Sequence, residues 1–431
     1  MERRFDPAGP LRGSLRLPPD KSISHRAALI AAMSEGETRI DNYLDAADTR
    51  STLAAVARLG AGVEALSGEG SSRSLTIRGT GLRGAQEAEI DVGNAGTLLR
   101  LLPGWLAGQG EGCWTLDGDD SIRRRPVDRV AEPLRLMGAG VECREGRLPP
   151  LKVTGARLTG IEYRLPVASA QIKSCVLLAG LLADGETIVI EPVPTRDHTE
   201  RMLEAAGAEI TVEGRSISIL PIDRLRGERF LVPGDFSSAA FAMVGAAIVP
   251  DSELVIEGVG VNPTRTGLLT ILDRMGAEIH VGEEPDLDAE PLAVIQVRFD
   301  ELEGTEVGGD EVPLAIDELP LVALAGCFAE GETVIRDAAE LRHKESDRIA
   351  SVCEGLAALG ADVEPTEEGM VVRGTGGLRG GTIDARGDHR LAMLGAVAGF
   401  ASREGVTVRG AEAAEVSYPD FESALGSLAS G

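Results

Sequence analysis

Only four of the 43 lysine and arginine residues in this 431-residue chain are lysines, and three of those sit in polar clusters beside apolar runs. Lys21 opens KSISHRAALIAAM, Lys173 lies in SAQIKS ahead of CVLLAGLL, and Lys344 stands in LRHKESDRIA beside Glu345, Asp347 and Arg348. A lysine ammonium is compact and can exchange a proton, which an arginine guanidinium does not do. Where arginine fills nearly every other basic position, a retained lysine marks a place for that chemistry. Other charges gather in the same way. SIRRRPVDR packs Arg123, Arg124 and Arg125 before a proline, PTRDHTE puts Arg196 in a loop, IDELP offers Asp317 and RGDHR offers Arg390. Cations of this density suit phosphates and carboxylates, and carboxylates beside them suit proton transfer. A solvated charge run or plain helix capping accounts for any one cluster taken alone.

The elements that must position these residues repeat along the chain. ALIAAMSEGETRI from Ala28, LLAGLLADGETIVI from Leu177, ALAGCFAEGETVI from Ala323 and AVAGFASREGVTV from Ala396 each read as apolar helix, small-residue turn and β-branched strand. LLPGWLAGQGEGCWTL from Leu101 and AMVGAAIVPDSELVI from Ala242 are looser copies. A second pattern, amphipathic helix, glycine stop and strand, recurs as AAVARLGAGVE from Ala54, PLRLMGAGVE from Pro133, MLEAAGAEITV from Met202, ILDRMGAEIHV from Ile271 and GLAALGADVE from Gly355. A period of roughly 70 to 80 residues predicts a repeat architecture. Helices apolar on every face are predicted to be buried among sheets. Mixed units of helix and strand predict an α/β or α+β fold. The bland alternative is an ordinary α/β enzyme whose buried helices all use Ala and Leu.

The apolar helices are preceded by DKSISHR, VGNAGT, ASAQIKS, PGDFSSA, IDELP and RGDHR. Ser, Asn, Asp and Gly suit a helix N-terminus, whose free N–H groups and partial positive charge attract anions. Lys21, Arg26, Lys173 and Arg390 put full cations at ends where the helix dipole disfavours them. An anion or carboxylate between them offsets that cost, so the clusters read as anion-binding sites.

Composition bounds the rest. A net charge of −26 argues against a nucleic-acid-binding surface but not against a local cationic pocket for small anions. Length predicts two or three domains, and a 43% hydrophobic content fills a large core. The five cysteines are scattered without a Cys-x-x-Cys pair, so neither a disulfide framework nor a zinc site is expected, and a reducing cytoplasm fits. MERRFDPAGP has no apolar segment behind its charges and no apolar run reaches about 18 residues, so neither a signal peptide nor a membrane span is expected.

In this order, KSISHR, GNAGT, RRRP, SAQIKS, RDHTE, HKESDR and GDHR resemble the 5-enolpyruvylshikimate-3-phosphate synthase family, over about Lys21 to Pro419. One such motif is weak; seven in order on a sixfold repeat are specific. SAQIKS, RDHTE and GDFSSAAF are more similar to the bacterial branch called class II than to the enteric and plant branch. The resemblance implies an inside-out α/β (α+β) barrel of two domains, each built from three βαβαββ-type repeats around a threefold pseudo-axis. One domain is expected to hold residues 1–19 and 235–431 and the other residues 20–234, with crossings near 19–21 and 233–235. Helix N-termini are expected to point into a cleft that closes on substrate.

The implied reaction moves the enolpyruvyl group of phosphoenolpyruvate to the 5-hydroxyl of shikimate 3-phosphate through a tetrahedral intermediate and releases phosphate, on the route to chorismate and the aromatic amino acids. Its phosphates and carboxylates would account for concentrated cations on an acidic chain. Carried over motif by motif, Lys21, Ser22, Arg26, Ser169, Ala170 (through its backbone), Gln171 and Arg196 would bind shikimate 3-phosphate, with Asp317 and Lys344 also in contact. Lys21, Asn94, Gly96, Arg125, Gln171, Arg348 and Arg390 would bind phosphoenolpyruvate. Asp317 would be the base near the 5-hydroxyl, Glu345 the acid that protonates the methylene carbon, and Lys344 an assistant to proton transfer, with Lys21 also catalytic. Asp317, Lys344 and Glu345 would titrate as a coupled set. The bland reading of Asp317 is a helix cap. His25 and His389 read as helix-end hydrogen-bonding groups, His198 and His343 stay open, and His280 reads as incidental. No cofactor and no metal are implied. The expected enzyme is a cytoplasmic monomer whose partners are its two substrates, without nucleic acid or membrane.

The enteric branch has a lysine two residues before an aromatic–proline pair, where AEVSYPDF places Val416. Either another cation substitutes or the phosphoenolpyruvate site is less positive. Gly96 stands where glyphosate-tolerant relatives can carry alanine, so this pocket is expected to admit glyphosate. The sister family, UDP-N-acetylglucosamine enolpyruvyl transferase, shares fold and reaction. It would usually show Lys-Asn in place of Lys21-Ser22, and a cysteine, or an Asp standing in for it, at Asp120. KSISHR and HKESDR weigh against it. A non-catalytic anion-binding repeat protein would explain the helix ends without needing Asp317 and Glu345 beside the cations.

Overall fold

The computed structural model describes residues 1–227, 229–283 and 289–429. The chain divides into two compact units. One comprises Met1–Pro18, Pro233–Asp286 and Pro291–Gly431 and is called here the Asp317 unit; the other comprises Pro19–Val232 and Leu287–Glu290 and is called the Lys21 unit. Each has its own apolar core.

One repeat shows the plan. Strand Glu89–Asp91 leads into the apolar helix Gly96–Ala107, and strand Cys113–Asp117 returns parallel to the first. Helix Asp128–Leu136 follows, and strands Gly140–Arg144 and Leu148–Thr154 complete a four-stranded sheet with antiparallel pairing. The repeat that starts at strand Glu162–Arg164 has the same order. In the first repeat of the Lys21 unit the leading strand comes from the far end of the segment, where Arg229–Leu231 pairs parallel with Glu37–Leu44.

The Asp317 unit borrows strands from the N-terminus. Arg12–Arg16 runs parallel to Glu253–Gly260. Glu2–Phe5 pairs antiparallel with Val406–Arg409 in a sheet of three strands instead of four. After Val406–Arg409 the chain goes on to helix Phe421–Leu428, so among the described residues the last repeat has no hairpin of its own and the N-terminal strand takes that edge. This is why the pattern of helix, glycine and strand occurs five times and not six. Its five glycines, Gly60, Gly138, Gly207, Gly276 and Gly360, all take φ between 93° and 109°, a conformation that costs a side chain energy and ends the helix.

The six apolar helices are Lys21–Met33, Gly96–Ala107, Ala170–Gly180, Phe236–Ile248, Leu319–Gly326 and His389–Ala401. Every residue of Phe236–Ile248 and of Leu319–Gly326 is buried. With all faces packed, polar chemistry concentrates in the first turns. Asp20, Ser169, Asp235 and Asp388 each accept a backbone N–H there, a cap worth about 1 kcal/mol. Gly96–Ala107, preceded by Ala95, and Leu319–Gly326 depart from this rule. In the latter Glu318 holds the cap position without a side-chain cap bond, and Asp317 lies one residue earlier. Asp317 is therefore not the cap. Among the described residues no helix is long and apolar enough to cross a membrane.

Candidate active site

In the Lys21 unit, Lys21 is the first residue of its helix and its Nζ lies 3.3 Å from Asp48. Arg26, 4% exposed, is held entirely by neutral groups: Nε donates to Thr199 Oγ1 at 2.7 Å, Nη2 to Ser174 Oγ at 3.1 Å and Nη1 to the Ser22 carbonyl at 3.0 Å. Burial, only partly offset by the more distant Glu200 and Asp20, pushes its pKa down to about 10, and nearby Arg196 adds to the fall. At neutral pH it remains a cation. Ser22, Arg26 and Arg196 are thus brought together with the helix that Ser169 and Ala170 begin. Ser169 accepts the Ile172 N–H at 3.4 Å, and Ser174 accepts from Arg26 one turn further on.

A second group in this unit gathers at the Gly96 helix. Arg125 Nη2 donates to Asn94 Oδ1 at 2.9 Å and to Ser121 Oγ at 3.2 Å. Gln171 accepts from Arg100 Nη1 at 3.0 Å and donates to Thr97 Oγ1 at 3.2 Å. A Cβ on Gly96 would stand 2.8 Å from Arg125 Nη1 and 3.3 Å from Arg100 Nη1, so glycine lets two guanidiniums approach this helix end. Of the three arginines in RRRP, Arg123 pairs with Asp117 at 2.8 Å and Arg124 is exposed; Arg125 is the one beside Gly96.

Lys173 corrects the sequence reading. It is 1% exposed, with Nζ 3.1 Å from Glu191, 2.6 Å from Glu200 and 3.3 Å from the Thr195 carbonyl. Two buried carboxylates supply its counter-charge, so in place of a bound anion it has Glu191 and Glu200, and it ties its helix to the segment that carries Arg196. Burial raises the pKa of Glu200, against the pull of Lys173. His198 Nδ1 lies 2.7 Å from Glu290. His25 is fully buried with Nδ1 2.6 Å from Thr52 Oγ1, and burial lowers its pKa to about 4. It is a neutral structural group.

In the Asp317 unit the cations meet carboxylates. Asp317 Oδ1 lies 3.4 Å from Lys344 Nζ and 3.2 Å from Arg348 Nη1, and Oδ2 lies 3.7 Å from Arg390 Nη2. Arg348, 1% exposed, also reaches Glu345 Oε2 at 2.6 Å and Asp388 Oδ2 at 2.8 Å. Burial works against the charge of Arg348, but Asp388, Glu345 and Asp317 outweigh it and raise its pKa. Burial likewise acts to raise the Asp388 pKa, and Arg348 overrides it and holds the carboxyl below its usual range. Arg390 donates through Nη1 to the Asp317 carbonyl at 3.0 Å and through Nη2 to Ser237 Oγ at 3.0 Å. Asp347 caps the Arg348 helix and pairs with Arg342 at 2.8 Å. His343 is exposed, and His389 Nδ1 lies 4.0 Å from Asp388. Val416 ends the turn Ala411–Val416 in this unit.

Sequence reasoning missed Arg100, Thr97, Ser174, Thr199, Ser237, Glu318 and Asp388 as partners. Arg100 carried a signal, as the single charged residue in the helix Gly96–Ala107. The hydroxyls carried none, because serine and threonine at a helix start read as caps.

Each unit is thus a repeated α/β scaffold with charged side chains gathered at the starts of buried helices, and comparison with known proteins places such a scaffold in the enolpyruvyl transferase class. A sequence model described as EPSP synthase (3-phosphoshikimate 1-carboxyvinyltransferase) matches residues 5–425. A 3-phosphoshikimate 1-carboxyvinyltransferase of Synechococcus sp. (strain JA-3-3Ab) is 49% identical over 97% of this chain and 94% of its own length. One of Desulforudis audaxviator is 48% identical over 99% of both chains. The chain belongs to the EPSP synthase family. The solved EPSP synthase of Acinetobacter baumannii superposes with a TM-score of 0.88 at 42% identity, covering 99% of this chain and 98% of that one. The enolpyruvyl transferase NikO of Streptomyces tendae, at 20% identity and a TM-score of 0.79 over 99% of this chain and 96% of its own, shares the fold. The sugar-nucleotide alternative is not favoured by these relatives.

Proposed function

We infer that the chain transfers the enolpyruvyl group of phosphoenolpyruvate to the 5-hydroxyl of shikimate 3-phosphate, giving 5-enolpyruvylshikimate 3-phosphate and phosphate. The observation that carries the reading is the position of Asp317 between Lys344 and Arg348, with Glu345 on the same arginine. Asp317 takes the hydroxyl proton as the oxygen attacks the enol carbon, and Glu345 delivers a proton to the methylene carbon. Lys344 stabilises the charge that Asp317 holds before the transfer. Elimination of phosphate with loss of a methyl proton then restores the vinyl group. Lys21, Ser22, Arg26, Ser169, Ala170, Gln171 and Arg196 bind shikimate 3-phosphate together with Asp317 and Lys344. Lys21, Asn94, Gly96, Arg125, Gln171, Arg348 and Arg390 bind phosphoenolpyruvate. The cationic Arg26, with only hydroxyls and a carbonyl in contact, supports the phosphate assignment.

The test is phosphate release from phosphoenolpyruvate with shikimate 3-phosphate or UDP-N-acetylglucosamine as acceptor, with product mass measured in parallel. Release only with shikimate 3-phosphate, and a product heavier by one enolpyruvyl unit, is expected. Release only with the sugar nucleotide would hand the acceptor site to the sister family, and no release with either would revive a non-catalytic anion-binding role. The same reading expects a cytoplasmic monomer that needs no metal or cofactor, which sedimentation and activity after chelation check.

A further inference from the structure

The first turn of Phe236–Ile248 holds a hydroxyl with three charged neighbours. Ser237, 5% exposed, accepts from Arg390 Nη2 at 3.0 Å and from Arg265 Nη2 at 2.8 Å, and donates to Glu318 Oε1. A serine hydroxyl has one proton and two lone pairs, so these bonds use it fully and fix its rotor. The arms of this hub are buried as well. Arg265 is 3% exposed, lies 3.3 Å from the cap Asp235 and sits 6.0 Å from the centroid of the Phe236 ring. Glu318 is 0% exposed; its Oε1 also lies 3.4 Å from Arg390 Nη1, and its Oε2 has no hydrogen-bond partner.

Two guanidiniums on one oxygen repel each other. The cost is offset by Glu318 on one side and Asp235 on the other, which makes the group an arrangement of two cations and two anions around a neutral centre. Nothing in helix capping requires it, since Asp235 already caps this helix by accepting the Ser237 N–H at 2.7 Å. Its geometric consequence falls on Arg390. The guanidinium is gripped by Ser237 on one nitrogen and by the Asp317 carbonyl and Glu318 on the other, which leaves it a single orientation.

We propose that Ser237, with Glu318 and Arg265 as its arms, is a positioning residue that orients Arg390 and thereby sets the affinity for phosphoenolpyruvate. The proposal rests on the reading of Arg390 as a phosphoenolpyruvate ligand. It assigns a role to the serine of GDFSSAAF, to the glutamate of IDELP and to an arginine in NPTRTG, none of which the reaction chemistry itself uses.

Steady-state kinetics and thermal unfolding of the full chain test it, with Ser237→Ala, Ser237→Thr, Glu318→Gln and an Arg390→Lys control. Ser237→Ala is expected to raise KM for phosphoenolpyruvate about tenfold, the size of one lost charge-assisted hydrogen bond, and to leave KM for shikimate 3-phosphate within about twofold. Ser237→Thr keeps the hydroxyl and is expected to restore most of the loss. A lower Tm with both KM values unchanged, or an equal rise in both, would make Ser237 merely structural and overturn the proposal. If Ser237→Ala does not fold, the isosteric Glu318→Gln decides alone: a rise confined to the phosphoenolpyruvate KM supports the network, and wild-type kinetics sinks it. The Arg390→Lys control separates the two ways to fail. An unchanged phosphoenolpyruvate KM there removes Arg390 from the substrate site; a raised KM there with a wild-type Ser237→Ala removes only the positioning role.

Discussion

Arg26 and Arg348 are both buried arginines near helix starts, yet their surroundings are opposite. Arg26 in the Lys21 unit touches two hydroxyls and a carbonyl, and burial draws its pKa down to about 10. Arg348 in the Asp317 unit touches three carboxylates, which overcome burial and drive its pKa up. Neutral partners fix a guanidinium in space without cancelling its charge, so Arg26 keeps its field, as the proposed shikimate 3-phosphate site requires. Carboxylate partners offset part of that charge, and Arg348 in turn holds Asp317, Glu345 and Asp388 at hydrogen-bonding distance. One unit presents a buried cation without a carboxylate in contact. The other surrounds its buried cation with three carboxylates.

The largest expected effect tests the second half of that contrast. Asp317→Asn and Glu345→Gln each remove a proton-transfer group while keeping shape, and kcat is expected to fall by about 10²–10⁴-fold. Turnover near wild type in both variants would leave the Asp317 unit without its assigned chemistry.

The contrast itself is exposed by a pair of substitutions to methionine. Arg348→Met strands Asp388, Glu345 and Asp317 without their shared cation, and a loss of about 3–5 kcal/mol is expected in denaturant unfolding. Arg26→Met strands no carboxylate in contact and removes a desolvated charge, so stability is expected to stay within about 1 kcal/mol of wild type. The same variant is expected to raise KM for shikimate 3-phosphate about 10- to 100-fold, the range of a lost hydrogen bond to a charged group. Equal destabilisation by the two substitutions would break the comparison.

His25 offers a smaller effect with a definite sign. Its pKa falls from 6.5 to about 4 on burial, so the unfolded chain binds the proton first as pH drops. Stability from this group is complete above pH 6.5 and is lost as pH falls through about 4, by roughly 3 kcal/mol. His25→Asn, which can still bond Thr52, is expected to flatten that limb of a Tm against pH curve. An unchanged slope between pH 6.5 and 4 would show that His25 is not the group responsible.

Gly96→Ala is the mildest change. Its methyl would meet Arg125 Nη1 at 2.8 Å, and the arginine must shift. A rise of about tenfold in the glyphosate concentration needed for half inhibition is expected, with a smaller rise in KM for phosphoenolpyruvate. Inhibition identical to wild type would separate Gly96 from the inhibitor pocket and leave the Arg125–Asn94 pair as a structural contact.

Much of the fold was legible in the residues because it is encoded over short distances. The alternation of apolar helix, small turn and β-branched strand needs only a dozen residues at a time. The five glycine stops could be read singly and all proved to have positive φ. The missing sixth hairpin was visible as a missing sixth copy, but the strand that replaces it, Glu2–Phe5, pairs with Val406–Arg409 across the length of the chain. The site was legible as a set of helix starts and much less as a set of partners. Lys21, Lys173 and Lys344 looked alike in sequence. Folding put Lys173 between Glu191 and Glu200 and left Lys21 and Lys344 each with an aspartate.

By itself, then, the sequence determined which helices are buried, where five others stop at a glycine, and which helix starts carry charge, because periodicity, capping and glycine geometry act between near neighbours. Whether a cation faces a hydroxyl or a carboxylate was decided only by the tertiary structure. Arg26 meets Thr199 across 173 residues, Arg390 meets Ser237 across 153 and Arg348 meets Asp388 across 40. A hydrogen bond reaches about 3 Å, so such pairs exist only after the repeats of each unit have packed together, and the electrostatic character of each arginine is set at that point.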